Sequence, residues 1–292
     1  MKKELKIGKI YNDVPLKNLT SYKLSGIAKK VIIPSNIEEL INLIKYVREN
    51  KLKYKLIGSG SNLIFDGDYD GILIKLEKID HCTIKGTKII VGSGYLLQKL
   101  AIKTCKLGLT GLEFATGIPG TVGGACANNS GAYNSDMGYV VSSLKVLTPS
   151  LEIKTMVNKE LDYHYRTSFF EKNRDYVILE ATINLKKGNK DEILEIIADR
   201  KKRRLESQPL EYPSAGSVFR NPVGNYAGKL IEDIGYKGKN IGDATVSDKH
   251  ANFIINKGNA SGKDIIKLIE EIKENVKKEY DIELHLEQEI VK

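Results

Sequence analysis

The side chains able to do chemistry in this sequence sit mostly among small neighbours. Two glycine-rich segments stand out, Gly58-Ser59-Gly60-Ser61-Asn62-Leu63 and Gly117-Ile118-Pro119-Gly120-Thr121-Val122-Gly123-Gly124. Both are dense in backbone N–H groups and small hydroxyls, which can wrap a pyrophosphate without a lysine. Two tight turns needing positive φ would read the same way. In the first segment Leu63 stands where a dinucleotide fingerprint has its third glycine, which disfavours a Rossmann site. Residues 224–229 are excluded as a P-loop because the glycine spacing is one short and Leu230 follows the lysine.

Single residues add further options. Arg166, beside Tyr165 in Tyr163-His164-Tyr165-Arg166, is either a surface ion-pair partner or a planar fork for a carboxylate. Ser217 lies in Ser214-Ala215-Gly216-Ser217-Val218-Phe219, where Phe219 replaces the last glycine of a hydrolase elbow. His250, in Lys249-His250-Ala251-Asn252-Phe253, has no second histidine at metal spacing, so packing or substrate contact is expected and no metal site is assigned. Glu289 reads by pattern as an edge-strand surface carboxylate.

The elements that must hold these groups follow from periodicity. Ser35 and Glu38 have capping-box spacing, and Ile37, Leu40, Ile41, Ile44 and Val47 then recur as a helix to about Asn50. Strands are expected over residues 54–57, 71–76 and 88–91, a helix over 96–107, strands near 144–147 and 177–185, and a helix over 191–206. Residues 108–133 lack periodicity and read as a functional loop region. After Pro209 and Pro213 come a short helix (227–234, closed by Gly235), a strand (251–255), a helix capped by Ser261 and Asp264, and a terminal strand alternating Ile282, Leu284 and Leu286 with charged residues. This is an α+β alternation with a boundary near residue 205.

Composition narrows the class. The 292 residues, 41% hydrophobic and 28% charged, are ordinary for a globular chain and suggest roughly two domains. Cys82, Cys105 and Cys126 form no C-x-x-C, which argues against a disulfide framework or zinc ribbon and points to reducing cytosol. The start, Met1 to Gly8, alternates lysine with single apolar residues and builds no signal-peptide core, and no apolar run approaches the ~20 residues of a membrane helix. The net charge of +9 is spread along the chain. Its one tight cluster, Lys201-Lys202-Arg203-Arg204, closes a helix that opens with acidic residues, so a solvated helix end is preferred to a nucleic-acid patch.

In order and spacing, the motifs resemble the flavin-dependent UDP-N-acetylenolpyruvoylglucosamine reductases over nearly the whole chain. The resemblance starts at Thr20-Ser21-Tyr22-Lys23 and runs through Gly58-Ser59-Gly60-Ser61-Asn62-Leu63. Its most specific run begins at Gly111-Leu112-Glu113-Phe114-Ala115-Thr116, continues through Gly117 to Ala125, and ends in Asn129-Ser130-Gly131-Ala132-Tyr133. Tyr165-Arg166, Ser214 to Phe219, Lys249 to Phe253 and Leu286-Glu287-Gln288-Glu289 complete it.

The resemblance implies a two-part FAD-binding domain of the vanillyl-alcohol-oxidase (PCMH) type over residues 1–205, with subdomains of about 1–80 and 81–205. A smaller α+β substrate-binding domain follows over 206–292. It implies non-covalent FAD on Gly58, Ser59, Gly60, Ser61 and Asn62 and on Gly117, Pro119, Gly120, Thr121, Gly123 and Gly124. NADPH is the implied reductant, and UDP-N-acetylglucosamine enolpyruvate the implied substrate, reduced to UDP-N-acetylmuramate in the cytoplasm. Hydride addition to the terminal enolpyruvyl carbon leaves charge on its neighbour that spreads into the carboxylate. Arg166 matches the residue that stabilises this charge, Ser217 the proton donor and Glu289 the third catalytic position. An ionised Glu289 would repel the enolate, so a neutral acid donating a hydrogen bond is the more comfortable role. Tyr165, Asn221, His250 and Asn252 fall in segments that could touch the nucleotide sugar.

Arg166 and Ser217 are 51 positions apart, leaving little room for the tyrosine-bearing loop of the longer subclass, so a shorter-subclass chain is implied, with Tyr212 a candidate lid. The alternatives are another flavin oxidase or dehydrogenase of the same cofactor fold, and a colourless basic nucleotide- or RNA-binding protein.

Overall fold

The computed structural model describes residues 6–292; the first five residues of the lysine-alternating start lie outside the described residues. The chain divides into two compact units. The first comprises the residues up to Tyr11 with Val31–Gly58 and Gly71–Lys202, and the second Asn12–Lys30, Ser59–Asp70 and Arg203–Lys292.

In the first unit, Ile37–Glu49 forms the expected helix, but its cap is one residue later than the Ser35/Glu38 spacing suggests. Asn36 Oδ1 accepts from Glu39 N at 2.9 Å, while Ser35 N–H donates to Glu39 Oε2 at 2.8 Å. The same three-residue spacing exists in both registers, and asparagine is at least as good a cap as serine. Leu40, Leu43, Ile44 and Val47 then face Ile72, Ile74, Leu147 and Leu179. Fully burying such a side chain stabilises by roughly 1.5–3 kcal/mol.

A five-stranded antiparallel sheet in this unit has the order Ile153–Val157, Val141–Leu147, Val177–Asn184, Lys88–Gly92, Cys82–Lys85. Val91, Leu144, Val146, Ala181 and Ile183 point into one core with Leu97, Leu100 and Ala101 of the helix Leu97–Lys106. The nonperiodic stretch 108–133 contains a short helix, Val122–Ala127, that its glycines hide from periodicity.

In the second unit the helix Gly262–Tyr280 has the expected capping box: Ser261 Oγ accepts from Asp264 N at 3.1 Å, and Asp264 Oδ2 from Ser261 N at 2.9 Å. Its buried stripe is Ile265, Leu268, Ile269, Ile272 and Val276. The strand expected at 251–255 begins only at Ile254, because the N–H groups of His250, Asn252 and Phe253 bond within residues 247–250. The terminal alternation is not a regular strand: Leu284 is buried, but the strand is Glu289–Val291, parallel to Leu63–Phe65. That pairing attaches residues 59–70 to the C-terminal part of this unit.

Candidate active site

In the first unit the end of one glycine-rich segment meets the other. A Cβ on Gly58 would stand 2.5 Å from Thr121 Oγ1, so only glycine allows this approach. A Cβ on Gly123 would lie 2.7 Å from Ser93 Cβ, and Gly120 has φ +131°. The first N–H groups of the helix Val122–Ala127 are already engaged: Val122 donates to Tyr95 O at 2.8 Å, Gly123 to Ser93 O at 2.8 Å, and Gly124 to Thr121 Oγ1 at 3.3 Å. That helix end therefore does not serve as the open anion site its glycines suggest. The Ser93 hydroxyl is buried with no hydrogen-bond partner among the described residues.

Arg166 occupies a tight turn in which His164 and Thr167 exchange backbone hydrogen bonds at 3.1 and 3.2 Å. Its φ of +56° is unusual for arginine, and such conformations persist where surrounding contacts impose them. Two contacts do so here. Arg166 Nη2 donates to Gly131 O at 2.6 Å, and the buried Asn129 amide donates to His164 O at 2.7 Å while accepting from Gly138 N at 2.9 Å. The Tyr165 ring is exposed, with the Arg166 guanidinium 5.3 Å from its centroid.

The second unit gathers Ser217, Glu289 and Asn62 along one hydrogen-bonded ladder. Ser217 bridges Phe253, and Val218 N donates to Asn252 O at 2.9 Å. On the other side Glu287 N donates to Val218 O at 2.9 Å. Glu289 N then donates to Asn62 O at 2.9 Å, and Asn62 Nδ2 to Glu287 O at 2.9 Å. Gly60, at φ +67°, has no space for a Cβ, which would fall 1.9 Å from Leu19 O. The Ser59 hydroxyl is buried without a partner among the described residues.

Three residues assigned to substrate contact have local duties. Both amide atoms of buried Asn252 bond the backbone of Phe219, at 3.0 and 2.9 Å. His250 Nδ1 accepts from Asn252 N at 3.2 Å, which leaves the proton of a neutral ring on Nε2, and burial lowers its pKa. The exposed Asn221 accepts from Ala227 N at 3.1 Å through Oδ1, at the start of the helix Ala227–Asp233.

The two segments suit a phosphate-bearing cofactor: close backbone turns that exclude Cβ atoms and, among the described residues, buried hydroxyls without partners at Ser59 and at the adjoining Ser93. Comparison with known proteins agrees. An FAD-binding domain model matches residues 28–156, and the C-terminal domain model of UDP-N-acetylenolpyruvoylglucosamine reductase matches residues 208–291. The UDP-N-acetylenolpyruvoylglucosamine reductase of Clostridium kluyveri is 45% identical over 98% of this chain and 94% of its own length. This chain belongs to the UDP-N-acetylenolpyruvoylglucosamine reductase (MurB) family. The Bacillus subtilis member is 40% identical over 99% of this chain and 96% of its own. The crystal structure of MurB from Thermus caldophilus superposes with a TM-score of 0.83 at 32% identity, covering 97% of this chain and 99% of that one. The 6-hydroxy-D-nicotine oxidase of Arthrobacter nicotinovorans shares the fold alone, at TM-score 0.50 and 15% identity over 64% of this chain and 44% of its own. The α+β architecture with an FAD-binding domain and a MurB C-terminal domain is therefore that of the family.

Two further residues support these turns, one in each unit. Asn129 supports the Arg166 turn, and Gln288 lies under the Ser217 turn. Both are buried amides inside motif segments, and their only sequence signal is a polar side chain among small or apolar neighbours. Among the described residues, no helix is long and apolar enough to cross a membrane.

Proposed function

We propose that this MurB-family chain reduces the enolpyruvyl ether of UDP-N-acetylglucosamine to UDP-N-acetylmuramate, a precursor of bacterial peptidoglycan, with NADPH as reductant and non-covalent FAD, in the cytoplasm. The supporting observation is that Ser217, Glu289 and Asn62, at the end of the first glycine-rich segment, share one hydrogen-bonded ladder within a single unit. The FAD-binding role belongs to residues 1–205 and the substrate-binding role to 206–292. Bound FAD supplies the two-electron carrier between NADPH and substrate.

The chain's own residues do the rest. Residues 58–62 and 117–124 hold the cofactor through turns whose missing Cβ atoms admit close approach and through small hydroxyls. Arg166 stabilises the negative charge that spreads into the substrate carboxylate, where its planar fork matches two oxygens. Ser217 gives its hydroxyl proton to the enolate carbon; a hydroxyl can face an anion without carrying charge, whereas a carboxylic acid of ordinary pKa would already be ionised at neutral pH. Glu289 is the third catalytic group, held at the end of the same ladder by the bond from its N–H to Asn62 O. Tyr165, Asn221 and His250 contact the nucleotide sugar, and Asn252 keeps the Ser217 ladder in register.

Ser217→Ala tests this division of labour. It should leave flavin content and reduction by NADPH intact and slow reoxidation by substrate ~10²-fold, the usual scale for a lost general acid. Unchanged reoxidation eliminates Ser217 as proton donor, and equal slowing of both half-reactions indicates structural damage instead.

A further inference from the structure

The geometry points to Gln288 as a positioning residue for Ser217, its amide gathering the carbonyl oxygens of the turn that presents the serine. The inference rests on the reading of Ser217 as proton donor. Gln288 is 3% exposed. Its Nε2 lies 3.2 Å from Ala215 O, 3.1 Å from Gly216 O and 3.4 Å from Ser217 O. Three successive carbonyl oxygens converging on one point repel one another unless a donor stands between them. Nε2 has two hydrogens for the three acceptors, so at least one is shared.

The amide can point only one way. Oε1 accepts from the Tyr22 hydroxyl at 3.0 Å, and Tyr22 is fully buried, with a pKa pushed upward by that burial, so it stays a protonated donor. Turning the amide over would aim Oε1 at the three carbonyls and lose all three contacts. Gly216 has φ +76° with open space where its Cβ would be, so the left-handed turn is not forced by crowding. What fixes the curl is the amide on one side and the Phe253 bridge with the Val218-to-Asn252 bond on the other. Because the curl sets the direction of the Ser217 Cα–Cβ bond, Gln288 controls where the hydroxyl proton is delivered. A glutamate here could do so only when protonated.

The test compares wild-type holoenzyme with Ser217→Ala, Gln288→Met, the Ser217→Ala/Gln288→Met double variant, Gln288→Glu and Tyr22→Phe. Flavin content and the two half-reactions are measured separately. Gln288→Met should keep FAD and its reduction by NADPH within about twofold, while reoxidation by substrate slows by 10- to 100-fold, on the order expected for a misplaced catalytic group. The double variant should be no slower than Ser217→Ala, because positioning has no value once the hydroxyl is gone. In Gln288→Glu, reoxidation should fall as pH rises through titration of the new carboxyl, a step absent from wild type and Gln288→Met. Tyr22→Phe, which leaves the three carbonyls untouched, should slow reoxidation about fivefold, and it replaces Gln288→Met if that variant loses flavin.

If Ser217→Ala is slow while Gln288→Met, or Tyr22→Phe in its place, matches wild type, the positioning role is overturned and the proposed function stands. If Ser217→Ala itself reoxidises normally, the reading of Ser217 fails and this inference with it. Multiplicative losses in the double variant, or equal slowing of both half-reactions, overturn positioning in favour of general stability.

Discussion

Gly60→Ala isolates the close approach on which the first cofactor loop depends. Two costs apply. A left-handed φ of +67° costs an L-residue about 1–2 kcal/mol. The new methyl would also lie 1.9 Å from Leu19 O, a backbone atom that cannot rotate away. Leu19 and Thr20 are tied by their N–H groups to Leu16 O at 2.9 and 3.0 Å, and Ser21 N donates to Gly60 O at 3.2 Å. Relieving the clash breaks this last bond, adding about 1 kcal/mol. The floor is then about 2 kcal/mol. Gly86 is the natural control, with φ +61° and nothing within 4 Å of a Cβ, so Gly86→Ala should cost only the conformational part, about 1 kcal/mol. Urea melts of the flavin-free proteins give the stability difference, and flavin titration gives the affinity. The buried Ser59 hydroxyl, without a partner among the described residues, adjoins Gly60, so Gly60→Ala should weaken FAD binding at least about tenfold, equivalent to ~1.4 kcal/mol. Gly86→Ala should leave affinity unchanged. Equal flavin affinity in the two variants would refute the reasoning.

Further outcomes follow from the same structure. Glu289→Ala should slow reoxidation by substrate while leaving flavin content and reduction by NADPH intact, and Glu289→Gln, which keeps the size and one donor, should lose less, with exposed Glu283→Gln as control in stopped-flow assays. Burial holds the His250 pKa below its unfolded value, so the unfolded state binds more protons between the two pKa values. Stability should therefore rise with pH up to about 6.5, and His250→Gln should remove that contribution from the pH dependence of urea midpoints. Burial pushes the thiols of Cys105 and Cys126 up to about 12, so thiol titration of folded protein should find half-buried Cys82 reacting first and the other two only on denaturation.

Local pattern carried much of the fold. The helices Ile37–Glu49, Leu97–Lys106 and Gly262–Tyr280 are long enough for apolar periodicity and caps to agree, and the strand Tyr54–Ile57 follows its helix closely enough to be bounded by it. The helix Val122–Ala127 was illegible because two of its six residues are glycine and it is tied by hydrogen bonds to Ser93 and Tyr95. Nor does anything local in residues 59–70 announce their partner. Asn62 bonds Glu287 across 225 positions, and only that pairing reveals why the chain's last strand is Glu289–Val291 and not the preceding alternation. The candidate site shows in the sequence as residue types: Arg166, Ser217 and the glycine turns stand in motifs, while Glu289 reads by pattern as a surface carboxylate. Supporting amides such as Gln288 and Asn129 were not, since a buried glutamine and an exposed one look alike until their carbonyl partners are in place.

The central claim is tested most directly by one anaerobic experiment. Purified protein is reduced with a single equivalent of NADPH, freed of nucleotide, and mixed with UDP-N-acetylenolpyruvoylglucosamine while flavin absorbance is followed and product is analysed by mass. The account predicts a yellow protein whose flavin is bleached by NADPH and recovers with formation of UDP-N-acetylmuramate, one for each flavin reoxidised. A flavin that stays reduced in the presence of this substrate, or recovers without that product, would contradict it.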